Sequence, residues 1–72
     1  MTKEEFMTLL ITAIGTRKGF SIKYAEVDSI NLYSSNDIFT ATFIGDVQNF
    51  LGGCFTGITV DCDGRPYMLF TY

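Results

Sequence analysis

The sequence predicts an α+β domain in which an N-terminal helix packs across a four-stranded antiparallel β-sheet, arranged as a meander. Three observations predict it. A helix-start signature stands at Thr2–Glu5, the hydrophobic period falls from about 3.6 residues to two at Phe20, and Asp63-Gly64 lies between two β-rich runs.

The helix comes first. Thr2-x-x-Glu5 is a capping box, in which the Thr hydroxyl and the Glu carboxylate each satisfy a backbone N–H that the first turn leaves orphaned. Met1 and Phe6 hold the two staple positions of the same motif, and Glu4 and Glu5 sit where the helix dipole favours negative charge. Arg17 and Lys18 suit the far end of the dipole and Gly19 can close the helix, with Gly15 as an earlier stop. These signals place the helix at about residues 3–17. Its polar stripe is only Glu5, Thr8, Thr12 and Thr16. Phe6, Met7, Leu9, Leu10, Ile11, Ala13 and Ile14 make an apolar surface wider than the ~100° usual for a surface helix, so this helix is covered on two sides or partly awaits a partner.

From Phe20 the apolar residues alternate: Phe20, Ile22 and Tyr24, then Ile30 and Leu32 in the same parity. One long strand, about 20–33, bulged near Asp28-Ser29, accounts for this pattern; a hairpin turning at Asp28-Ser29 ranks second, because it splits the apolar set across both faces. Ser34–Asp37 is a turn by composition. The alternation of Phe39, Ala41 and Phe43 with Thr40 and Thr42 then predicts a strand at about 38–44 pairing back on the first. Residues 45–53 break the pattern, and Asp46 can cap one helical turn over Val47–Leu51, with a loop as the alternative.

Asp63-Gly64 reads as a two-residue hairpin turn joining strands at about 55–62 and 65–72. Pairing outward from it sets Val60 against Tyr67 and Ile58 against Leu69 on the face towards the helix. Phe55, Met68, Phe70 and Tyr72 then fall on the opposite face with nothing to cover them. Pro66 lacks an N–H, which places the last strand at an edge of the sheet. No repeat, linker or low-complexity tract divides the chain, so the 72 residues read as a single domain.

Composition bounds the function. So short a chain buries only about 60% of the surface its unfolded form exposes, and commonly leans on a disulfide, a metal or a partner. Two cysteines and no histidine argue against a structural zinc site, and Cys54 and Cys62 lie too far apart along one strand to bridge. A hydrophobic fraction of 47% and an aromatic fraction of 15% leave a dense core or self-association. No secretory leader or membrane span is visible, and free thiols fit a reducing, cytoplasmic setting. The formal net charge of −3 is uneven: Lys3, Arg17, Lys18 and Lys23 against two acids leave the first 23 residues at +2, while Arg65 against six acids leaves the rest at −5. An acidic body argues against binding a phosphate backbone, and tyrosines in acidic surroundings do not make a base-stacking groove.

The catalytic options are few. Without histidine there is no ordinary Ser or Cys triad, and no Gly-Lys-Ser/Thr follows Gly52-Gly53 to make a phosphate loop. Asp61-x-Asp63-Gly64 has the outline of a calcium-loop fragment but lacks the further oxygen ligands. The expectation is therefore a non-enzymatic protein-binding module without metal or cofactor, a small acidic inhibitor or regulator that occupies the surface of another protein. One form such a module takes is the phage protein whose carboxylates mimic nucleic-acid phosphates before a host nuclease. The residues expected to make the contact are Phe55, Met68, Phe70 and Tyr72, rimmed by Asp61 and Asp63. A homo-oligomer built through an edge strand or the aromatic face is the first alternative, and a small-ligand domain the second.

Overall fold

Thr2 caps the first helix as its sequence requires. In the computed structural model, which describes residues 1–72, its Oγ1 accepts the Glu5 amide at 3.1 Å while Glu5 Oε1 accepts the Thr2 amide at 3.2 Å. Helix α1 runs Lys3–Ile14 and stops at the earlier signal: Gly15 takes φ 61° and returns its N–H to the Ile11 carbonyl at 2.9 Å. Arg17 lies beyond the helix and reaches back to the Ala13 carbonyl at 3.1 Å.

The expected long strand over 20–33 is instead a hairpin of β1 (Phe20–Glu26) and β2 (Ser29–Ser34), turning at Val27-Asp28. A bulge between Tyr24 and Glu26 removes the parity conflict of a simple hairpin. It sets Tyr24 opposite Ile30 and Ile22 opposite Leu32, so the whole apolar set stays on one face. Ser34–Asp37 turns as expected, the Asp37 amide donating to the Ser34 carbonyl at 3.1 Å with Asp37 at φ 58°.

The predicted strand at 38–44 does not form. Thr40 caps a second helix, α2 (Ala41–Leu51), accepting the Phe43 amide on its Oγ1 at 3.2 Å. Its buried residues Phe43, Val47 and Leu51 recur every fourth position, and that helical period overrides the short alternation of Phe39–Phe43. Asp46, expected as a cap, lies inside this helix.

The last two strands are β3 (Phe55–Val60) and β4 (Pro66–Thr71). All four strands are antiparallel, but their order is β1-β2-β4-β3 and not that of a meander. Strand β4 is thus interior, contrary to its expected edge position. Pro66 is tolerated as its first residue, because pairing with β2 begins only at Tyr33–Tyr67.

The chain is consequently two αββ units, α1-β1-β2 and α2-β3-β4, joined through their second strands about an approximate two-fold. Each helix opens on a threonine cap at a matching place, although the sequence shows no repeat. Both helices cover one face of the sheet. Between the layers lie Phe6, Leu10 and Ala13 of α1, Phe43, Val47 and Leu51 of α2, and Ile30, Leu32, Met68 and Phe70 of the central strands. Phe6 stacks on Tyr72 with ring centres 4.7 Å apart and tilts against Phe70 at 5.5 Å; Phe20 stacks on Phe43 at 4.6 Å.

Candidate functional site

The β3–β4 turn decides which side chains reach the surface. The closing pair is Asp61 and Arg65, the Asp61 amide donating to the Arg65 carbonyl at 3.0 Å, so the loop is the three residues Cys62–Gly64. Gly64 takes φ 79°, the left-handed conformation a three-residue hairpin loop needs at that place. One residue more than the expected Asp63-Gly64 loop slips the register by one: Ile58 now pairs with Met68 and Val60 with Pro66. The even residues of β4 therefore face the helices.

This overturns most of the predicted contact surface. Met68 and Phe70 are fully buried. Phe55 and Tyr72 are half-buried on the same side, Phe55 against the Phe70 ring at 5.5 Å. Asp61 serves the turn, its Oδ1 accepting the amides of Asp63 and Arg65 at 2.9 Å each and its Oδ2 the Tyr33 hydroxyl at 3.1 Å. The Arg65 amide first, then the Tyr33 hydroxyl and the Asp63 amide, hold its carboxyl below the ordinary aspartate range. Of the six residues, only Asp63 projects freely into solvent.

The face of the sheet away from the helices has no second layer, yet its central tyrosine is covered. Tyr33 is 3% exposed. Lys23 Nζ stands 4.9 Å and Arg65 Cζ 5.0 Å from its ring centre, with the Tyr67 ring 5.3 Å away. Two long cationic side chains thus close over the ring, and it offers no free face to a base or another aromatic group. Burial first, and the Asp61 carboxylate second, push the Tyr33 hydroxyl pKa up. Other carboxylates are spoken for as well: Asp46 pairs with Arg17 at 2.8 Å and Asp37 with Arg65 at 2.9 Å.

A single shallow cleft of ≈ 210 Å³ lies where α1 ends and α2 begins, lined by Arg17, Lys18, Phe20 and the Ser34–Asn36 turn. It is smaller than the ~300–1,000 Å³ of ordinary ligand pockets, and its Arg17 is committed to Asp46 and the Ala13 carbonyl. Cys54 and Cys62 are free thiols, the first half-buried and the second exposed. Nowhere do three Asp, Glu or Cys side chains converge as metal ligands do.

What distinguishes itself is the sheet's outer edge at β3. Strands β1 and β3 both end the sheet, but β1 carries Lys23, Glu26 and a bulge, and Lys3 Nζ sits 4.1 Å from the centre of its Tyr24 ring. Charges and bulges are what native sheets use to blunt an edge. Strand β3, Phe-Thr-Gly-Ile-Thr-Val, has no charge and no proline. Its bulge lies at its start, between Phe55 and Gly57, with Gly57 at φ 148°, and leaves Ile58–Val60 regular. Because the Asp61 amide turns inward to β4, so do those of Thr59 and Gly57; Ile58 and Val60 turn their N–H and C=O outward. Their side chains are 45% and 61% exposed. The sequence signal for this site is the uncharged run Phe55–Val60, which Pro66 masks by pointing to the neighbouring strand as the edge.

Comparison with family models, with curated proteins and with solved structures gives no match to this chain.

Proposed function

We propose that this chain is a non-enzymatic protein-binding module, and that its contact element is the outer edge of β3, which accepts a strand from another chain. One observation carries the reading: of the two edges of the same sheet, only β3 is free of charge and proline along its whole length and carries the exposed apolar pair Ile58 and Val60, whose backbone groups point outward. Strand addition uses such an edge, main-chain hydrogen bonds giving affinity and alternate side chains giving selectivity.

Val60→Pro is the edge-specific probe. It removes an outward N–H while leaving the β3–β4 ladder intact, as proline at an edge permits. A tagged copy should retain a stoichiometric protein partner, its own copy included, and Val60→Pro should lose it. Ser21→Lys, at an exposed position of β1, should keep it. A partner held equally by the wild type and the Val60→Pro chain would remove β3 from the account.

A further inference from the structure

We infer that the strand β3 accepts is β3 of a second copy of this chain, making one continuous eight-stranded antiparallel sheet. The inference rests on the reading of β3 as a docking edge and names its occupant.

Geometry selects the register. A two-fold axis perpendicular to the sheet keeps each face on its own side, so it can pair only residues of equal parity. The regular part of the edge, Ile58–Val60, has its outward groups at Ile58 and Val60. An axis through Thr59 satisfies both at once. Ile58 then exchanges backbone hydrogen bonds with Val60 of the second copy, and Val60 with Ile58, while the two Thr59 side chains meet on the opposite face. The exposed apolar residues cover each other, and Asp61 falls opposite Gly57, which has no side chain to crowd it.

Charge permits this register, although the −3 on each copy opposes association at longer range. In the Thr59-centred register the two Asp61 residues stand roughly 13 Å apart at ~3.3 Å per residue, beyond the ~8 Å over which salt at physiological strength leaves charges coupled. The same operation on β1 would bring Lys23 close to a second Lys23. A junction of three paired residues from each copy is smaller than the ~1,600 Å² of an ordinary stable interface, so the assembly is a concentration-dependent equilibrium between monomer and dimer. Because each copy carries a formal charge of −3, added salt strengthens it; a basic partner would be weakened instead.

The test is sedimentation of the purified full chain over a wide concentration range. The wild type should pass from monomer to dimer. Thr59→Lys and Thr59→Glu, each at an exposed position outside the core, should weaken dimerisation about tenfold or more by setting like charges directly opposite. An equal mixture of the two should recover dimers, which also shows that neither variant has unfolded. A wild type that stays monomeric throughout overturns the second copy as occupant. The docking edge itself then stands or falls separately, on whether a different partner is lost with Val60→Pro. A dimer that survives in Thr59→Lys places the contact elsewhere and overturns this inference as well.

Discussion

Strands β1 and β3 hold equivalent places in the two αββ units, and chemistry separates them. Each is the outer strand of its hairpin, bulged on the side facing its neighbour. Strand β1 adds Lys23 and Glu26, and Lys23 also roofs the Tyr33 ring. Strand β3 adds nothing charged and leaves Ile58 and Val60 in water. A fold that repeats its architecture has guarded one copy of the edge and left the other open. On the proposed reading, the contact lies in backbone groups and in the absence of charge along one strand.

The largest effect separates this edge from the surface that the sequence suggested. Phe70→Ala should cost about 3–5 kcal/mol, because it empties a buried site between Phe6 and Phe55. Val60→Ala, at the exposed edge, should stay within about 0.5 kcal/mol. Denaturant unfolding of both variants checks the pair; similar small losses would return Phe70 to the surface.

The comparison can also be inverted. Replacing both guards, Lys23→Thr with Glu26→Thr, should open β1 and give each molecule two adhesive edges. Two such edges make open-ended assemblies in place of closed dimers. Light scattering against concentration should show growth beyond the dimer, and a distribution ending at the dimer would mean that the guards on β1 do not matter.

Smaller effects test the two helices. Thr40→Ala should destabilise by about 1 kcal/mol through loss of the cap on Phe43. Gly45→Ala should stabilise by about 1 kcal/mol, since an added Cβ there meets nothing within 4 Å and glycine is a poor residue inside a helix. Opposite signs in thermal melts five residues apart would confirm α2 against a strand or loop.

The smallest effect is on pH. Asp61 resists protonation in the folded chain, so its contribution to stability is full above the ordinary aspartate pKa of about 3.9 and is lost as pH falls through its lower folded value. Tyr33, raised instead, contributes below about pH 10 and loses that contribution as pH rises through its higher folded value. Asp61→Asn should flatten the acid limb of a stability–pH curve, and Tyr33→Phe the alkaline one.

Much of the fold was legible because its signals are local. The capping box names α1, the shared parity of Phe20, Ile22, Ile30 and Leu32 names one buried face, and Ser34–Asp37 names a turn. Helix α2 was hidden by competing periods: Phe39–Phe43 alternate, and Gly45 weakens the helical signal that Phe43, Val47 and Leu51 carry. The strand order was illegible for a different reason. Pairing of β2 with β4 joins residues some forty apart, and no short-range pattern encodes it. The contact surface then failed on a single residue, since a loop of three rather than two turned Met68 and Phe70 inward.

Amide hydrogen exchange, followed residue by residue as the concentration of the wild-type chain is raised, reads the β3 edge itself. Ile58 and Val60, outward and unpaired in the dilute monomer, should become protected together, while the amides along β1 should not change. Exchange at Ile58 and Val60 that stays fast at every concentration, or protection that appears on β1 instead, would contradict the proposed β3 pairing.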